Sequence, residues 1–291
     1  MGFRVVRITK RCKLEARLGY MVSTSDEEVQ ILLDEISVVI IESQQVFITA
    51  ALLSQFLSKK IKVIFCDSAH DPQGELIPYF GTYDSYRKLK KQLAWTDATK
   101  DKVWAQIIRQ KIENQAKVLQ KLHMEEQCKA LIEYQSQVTD GDPTNREGIA
   151  AKQYFSALFG LRFDRRNKAT PINKYLNYGY AVVVGAVNRE ISKSGYLHQL
   201  GIHHIGEENP FNLGYDLVEP LRPFVDWIAI SKDVNDDNFK SLMAKSLETI
   251  VLCDDKKCHL DNAISDYAMS IFTALNTGSK NTVKKITFND E

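Results

Sequence analysis

Apolar and polar positions follow two regimes along this chain: short runs first, then recurrences at three and four residues. The runs Phe3 to Ile8, Leu14 to Val22, Val29 to Leu33, Val38 to Glu42 and Lys62 to Cys66 are rich in β-branched residues and bounded by charged or turn-forming ones, which predicts strands. Between the last two, Thr49 can cap a helix in which Ala50, Leu53, Phe56 and Leu57 share a face before Lys59 and Lys60 close it. Asp71-Pro72-Gln73-Gly74 reads as a turn. The unbroken run Val38-Val39-Ile40-Ile41 suits burial on both faces, and it predicts that this β region packs against its twin in a two-fold homodimer.

From Tyr86 the pattern is helical. Tyr86 to Leu93 is basic with interleaved apolar residues, and Thr99 can cap a second helix with Trp104, Ile108, Ile112 and Leu119 along one side. Helical spacing returns at Asn145 to Gly160, Pro171 to Ser192, Leu217 to Ile230, Phe239 to Leu252 and Asp261 to Leu275. Strands first and helices afterwards predict an α+β fold. Its parts are a small amino-terminal β domain over residues 1–80, a linker and helix start over 81–100, and a larger all-α domain over 101–291.

Composition narrows the class only a little. With 291 residues, 44% of them hydrophobic and 26% charged, the chain is ordinary globular protein, not a disordered tail or a coiled coil. Lys and Arg number 38 against 37 acidic residues, so a nucleic-acid surface requires local segregation of charge. No apolar run approaches the roughly 18 residues of a membrane span, and the chain reads as cytoplasmic. Five cysteines, scattered and without a CxxC pair, suit a reducing compartment. Cys253, Cys258 and His259 offer three zinc ligands without a fourth, and read instead as surface helix ends with incidental thiols.

Candidate chemistry lies in two segments. Glu147 falls on the apolar side of its helix, where Ala150, Ala151, Tyr154 and Leu158 follow three, four, seven and eleven residues on. A carboxylate so placed needs a cation, a metal or several donors. The plain alternative is a first-turn Glu favoured by the helix dipole, with Arg146 as its surface neighbour. The second segment runs from His203-His204 to Arg222-Pro223. Asp216-Leu217-Val218-Glu219 has the form of a capping box, which would account for both acids but leaves the adjacent imidazole pair unexplained. In an extended loop His203 and His204 point to opposite sides, so only one can serve a given ion, and spacing does not choose between them. Two carboxylates and one imidazole suit a divalent cation that activates phosphodiester chemistry.

The series Glu147-Gly148 with Ala150, Ala151, Tyr154 and Phe155, then Asn173 with Leu176-Asn177-Tyr178-Gly179-Tyr180, then Gly201-Ile202-His203-His204, then Asp216-Leu217-x-Glu219-Pro220-x-Arg222-Pro223 closely resembles the CRISPR spacer-acquisition integrase family. The likeness is to its type II subgroup and extends over nearly the whole chain. Leu197-His198 and the longer loop at Asn209-Pro210-Phe211 depart from the family pattern.

The resemblance implies a catalytic metal site of Glu147, His204 and Glu219, with Asp216 and His203 supporting, Mg²⁺ or Mn²⁺ as the ion, and the all-α part as the catalytic domain. It implies insertion of short foreign DNA as new spacers at the leader-repeat end of the array, by 3′-hydroxyl attack on a phosphodiester. Arg87, Lys88, Lys90, Lys91, Arg165 and Arg166 are the candidates for duplex DNA contacts, against the alternative of a solvated face. The implied partners are protospacer and repeat DNA and a second copy of the chain. A small ferredoxin-like Cas protein, an RNA-guided effector nuclease and a ring-forming accessory protein complete the set. Two other readings share the residues: a stand-alone metal-dependent nuclease or transposon-type integrase, and a non-catalytic DNA scaffold in which the acids are helix-end residues.

Overall fold

The computed structural model describes residues 4–78, 84–167, 170–230, 233–279 and 282–289. Residues 1 and 80, the expected bounds of the β domain, and Phe3, the start of its first run, lie outside them. Strands β1 (Arg4–Ile8), β2 (Cys12–Arg17), β3 (Tyr20–Thr24), β4 (Glu28–Leu32), β5 (Ile36–Ile41) and β6 (Val46–Ile48) lead into helix α1 (Ala50–Ser58), followed by β7 (Lys62–Cys66) and β8 (Pro72–Glu75). One four-stranded sheet has the order β1-β5-β7-β8, parallel except for β8. The other has the order β4-β3-β2-β6, antiparallel except where β2 meets β6.

Two local expectations change here for stated reasons. Leu14 to Val22 is not one strand: Leu18 and Gly19 take φ of 49° and 84° and fold it into the β2–β3 hairpin. Asp71 to Gly74 is not a free turn, because Pro72 opens β8, an edge strand on which a missing N–H is tolerated. Thr49 caps α1 as expected, accepting the Leu52 N–H at 3.3 Å.

Every residue of β5 is buried. Val39 and Ile41 enter a core with Leu14, Met21, Leu52, Phe56 and Val63, drawn from both sheets and α1. Val38 and Ile40 point the other way, into the core of the helices. The unbroken apolar run is thus used up inside one chain. It does not call for a second copy.

The rest of the chain is mostly helical: α2 (Ser85–Leu93), α3 (Asp97–Lys121), α4 (Glu125–Ser136), α5 (Arg146–Phe159), α6 (Pro171–Ser194), α7 (Asn212–Val218), a 3₁₀ turn at Glu219–Leu221, α8 (Arg222–Ala229), α9 (Phe239–Ala244) and α10 (Leu260–Thr277). It also holds an antiparallel sheet of β9 (Ile250–Cys253), β10 (Lys256–His259) and β11 (Ile286–Phe288), in the order β10-β9-β11. The helix expected to reach Leu252 stops at Ala244, since the run Ile250-Val251-Leu252 prefers a strand and Asp254 and Asp255, at φ of 45° and 64°, make its hairpin turn. Cys253 and Cys258 therefore lie on strands, not helix ends, as free thiols. Thr96, not Thr99, caps α3, accepting the Thr99 N–H at 3.3 Å.

Helix α6 is buried on most of its faces and apolar over 178–187, which is the pattern of a helix enclosed by its neighbours. It lies so close on β7 that a Cβ at Gly185 would stand 2.8 Å from Ile64 Cδ1. Polar contacts fasten α6 to the same sheet, where Tyr178 donates to Glu42 at 2.7 Å and Arg189 to Ser37 O at 3.3 Å, and Arg189 also ties α6 to α10 through Asp261 at 2.8 Å. Beneath α6, Lys62 pairs with Glu75 inside the protein. Among the described residues no helix is long and apolar enough to cross a membrane.

Candidate functional site

Glu147 stands in the first turn of α5, and that turn is firmly tied. Asn145 accepts the Gly148 N–H at 3.1 Å, and the Asp142 carboxylate accepts those of Arg146 and Glu147, each at 2.9 Å. Ala150 and Tyr154 bury the same side of α5. The Glu147 carboxylate meets α3, where Lys111 Nζ lies 2.5 Å from Glu147 Oε1 and 2.5 Å from Glu219 Oε2. Arg222 Nε donates to the other Glu219 oxygen at 3.0 Å. Burial works against the Glu219 anion, but Arg222 and Lys111 outweigh it and hold the carboxyl down at about 2. Burial likewise works against the Lys111 ammonium, and Glu219 and Glu147 reverse it, raising its pKa.

Glu219 arrives here because α7, the 3₁₀ turn and α8 form one bent rod. The backbone stays right-handed helical from Val218 through Arg222, with Pro220 and Pro223 tolerated in first turns where no N–H is needed. Asp216, Glu219, Arg222 and Asp226 therefore recur along one side. Asp216 is not the helix cap that its spacing with Glu219 also allowed. The helix starts earlier, at Asn212, and Asp216 is fully buried within it.

Its carboxylate accepts the backbone N–H groups of Ile202 at 2.5 Å, His203 at 3.1 Å and His204 at 3.0 Å. His204 Nδ1 lies 2.6 Å from Asp216 Oδ1, a bond that raises the imidazole pKa against burial. Nε2 makes no hydrogen bond to a described residue. Gly201 is needed for this close approach, since a Cβ there would stand 2.2 Å from His204 O and 2.7 Å from Asp216 Oδ2. The His203 ring stacks on Trp104, with centroids 4.2 Å apart and planes 2° from parallel.

The structure thus unites two of the three expected ligands at one point. His204 is within electrostatic reach of Glu219 but tied to Asp216. Among the described residues no group of three His, Cys, Asp or Glu side chains shares a position for one ion, the Cys253 region included. The carboxylate pair nonetheless fits a hard divalent cation. The point held by Nζ is 2.5 Å from both oxygens, inside the roughly 2.3–2.6 Å of calcium–oxygen bonds and about 0.4 Å beyond magnesium–oxygen bonds, so Mg²⁺ there draws the two carboxylates closer together.

This point lies in a cleft of about 480 Å³ lined also by Phe155, Arg165, Tyr180, Arg222 and Asp226. Tyr154 donates to Asp226 Oδ2 at 3.1 Å and Tyr180 to Oδ1. Burial still pushes the Asp226 carboxyl up to about 6. The Arg165 and Arg222 guanidiniums lie over the Tyr180 ring at 5.1 and 4.6 Å.

The expected DNA-contacting residues divide. Arg165 shares the cleft, while Arg166 is exposed and pairs with Asp164 at 3.3 Å. On α2, Arg87 pairs with Asp84 at 2.5 Å, Lys88 lies over the Tyr196 ring at 5.5 Å, and Lys90 and Lys91 are exposed. Arg87 and Lys88 line a separate cavity of about 690 Å³ with Lys60 and Lys193. Lys111 and Asp226 were missed. A signal for Lys111 exists, since it stands seven residues after Trp104, on the same side of α3.

A sequence profile described as CRISPR associated protein Cas1 matches residues 8–257. The chain belongs to the Cas1 family. It is 40% identical over 231 residues to the CRISPR-associated endonuclease Cas1 of Neisseria meningitidis serogroup C, covering 79% of this chain and 76% of that one. Among solved structures it is similar to a Cas6-RT-Cas1–Cas2 complex, with a TM-score of 0.73 and 17% identity. That match covers 96% of this chain and 35% of the other, so the chain spans about a third of that longer protein. It is also similar to a casposase bound to integration product, with a TM-score of 0.67, 16% identity, and 96% and 92% of the two chains covered. At such identities these structures show the Cas1 fold.

Proposed function

We propose that this Cas1-family chain is the DNA endonuclease and integrase of CRISPR adaptation, inserting short foreign fragments at the leader-repeat end of the array. The observation that carries the reading is the meeting of Glu147 and Glu219, 72 residues apart in sequence, on one cation position in a cleft furnished with guanidiniums. In this reading Glu147, Glu219 and His204 hold Mg²⁺ or Mn²⁺. When bound, such a cation lowers the pKa of the attacking 3′-hydroxyl and offsets charge growing on the phosphate.

The chain's own groups do the rest. Asp216 fixes the His204 loop through three backbone N–H groups and engages Nδ1, which leaves Nε2 as the donor nitrogen. Arg165 and Arg222, held over Tyr180, supply planar donors for phosphate oxygens. Asp226 anchors Tyr180 and Tyr154 from below. Attack at two repeat ends needs two such sites, so the working form is a homodimer, bridged by a Cas2 partner like that named in the related complex. The effector nuclease and the ring-forming accessory protein join from the type II resemblance, and the compartment is the cytoplasm.

The test is integration of a labelled duplex into a supercoiled plasmid bearing the repeat, with the Cas2 partner and Mn²⁺. Glu147→Gln and Glu219→Gln each lower the rate by about 100-fold or more while far-ultraviolet circular dichroism is unchanged. Full activity in either variant removes the reading.

A further inference from the structure

Lys111 occupies the point at which Glu147 and Glu219 converge, and an ammonium and a divalent ion cannot share it. Its side chain is 8% exposed, so its charge is neutralised there by the two carboxylates and not by water. One helical turn further along α3, Gln115 is 2% exposed, lines the same cleft, and carries an Oε1 atom with no hydrogen-bond partner among the described residues. A buried acceptor left without a donor is unfavourable, and residues four apart on a helix are side-chain neighbours. The cleft thus holds a second polar station for the Lys111 tip.

We propose that Lys111 is a displaceable counter-cation. It holds the two carboxylates together while the cleft is free of DNA, and it moves toward Gln115 and an incoming phosphate when a divalent ion takes its place. This rests on the reading of Glu147 and Glu219 as cation ligands. The formal charges of Lys111 and Arg222 already balance those of Glu147 and Glu219. A divalent ion alone leaves a surplus of two positive charges in a largely buried cluster, and DNA phosphate removes it. Metal and DNA therefore bind cooperatively, each tightening the other by the same factor. The ligand class is a divalent ion together with a phosphodiester.

The experiment titrates Mn²⁺ into the full chain and reads the free aqua ion by electron paramagnetic resonance, with and without a duplex ending in 3′-dideoxynucleotides so that no strand transfer occurs. In the wild type the duplex tightens Mn²⁺ binding by about 5- to 150-fold. Lys111→Met, which keeps the stem and removes the charge, tightens DNA-free binding by a similar factor and loses most of the response to duplex. Lys111→Arg, which keeps the charge, binds Mn²⁺ as weakly as the wild type.

A folded Lys111→Met protein that binds Mn²⁺ no tighter than the wild type overturns the proposal. If that variant does not fold, the wild-type arm decides, since a Mn²⁺ affinity indifferent to duplex overturns it equally. Glu147→Gln separates the two levels. Loss of Mn²⁺ binding in that variant, with no influence of Lys111, sinks only the displacement; unchanged Mn²⁺ binding removes the cation site and the displacement together.

Discussion

Asp226 is a carboxyl placed where its charge is least welcome, and its titration gives a stability signature separate from activity. Its pKa rises from 3.8 to about 6, so between those values the folded chain binds a proton that the unfolded chain has released. Stability from this group is therefore fully present below about pH 3.8, falls as pH rises through about 6, and is flat above. The separation corresponds to about 3 kcal/mol. Asp226→Asn keeps one acceptor oxygen, turns an amide N–H toward the other tyrosine hydroxyl and removes the titration, so its stability relative to wild type should rise by about that amount from pH 3 to pH 7 in urea unfolding. A constant difference would assign the titration elsewhere. Glu219 has the opposite sign: held at about 2, it contributes stability above the ordinary 4.5 and loses it as pH falls through 2.

Asp216→Asn should lower integration by about 10- to 100-fold, with Mn²⁺ weakened and the fold kept, because it loosens the His204 loop without removing a ligand. An unchanged Mn²⁺ affinity would reduce Asp216 to a purely structural role. Glu147 was legible in the sequence because an acid on an apolar stripe demands a cation. The cation itself was not, since the α3 stripe was traced through Trp104, Ile108, Ile112 and Leu119, and a Lys with a long apolar stem sits among them unremarked. Asp216 was singled out, but its spacing alone did not fix its place, because an Asx-x-x-Glu pair looks the same whether the Asp caps a helix or faces a loop from inside one.

Among the elements, long ones with strong spacing were readable: α3, α5, α6 and α10 fall close to where the pattern puts them. Short ones divided: β1, β4, β5, β7 and the Thr49-capped α1 fall on the runs that predicted them, while β6, β8 and the β9–β11 sheet were not readable. β6 has three residues and β8 four, too few to show a period, and β9 to β11 pair over a sequence distance that no local pattern reports. The basic helix α2 carries its own prediction. Gln92 fixes it by donating to Leu197 O at 2.9 Å and Leu200 O at 3.0 Å, which leaves the exposed Lys90 and Lys91 on a rigid mount near the His204 loop. Neutralising Arg87, Lys88, Lys90 and Lys91 together should weaken duplex binding alike for all sequences and lower the log-log salt slope by roughly 0.9 per lost phosphate contact. A slope equal to wild type would make α2 an ordinary solvated helix.

At the scale of the whole molecule, β5 is the decisive element. Its side chains alternate between two cores, Val39 and Ile41 in one, Val38 and Ile40 in the other. A strand owned by both cores is a mechanical linkage: neither can melt without stripping a face from the other. Despite its length the chain should unfold in one calorimetric transition, with calorimetric and van't Hoff enthalpies in agreement. Two resolved transitions would show that the cores part. By the same linkage a truncation that removes residues 4–78 does not liberate a helical enzyme; it uncovers the apolar patch beneath α6 and leaves a chain that aggregates.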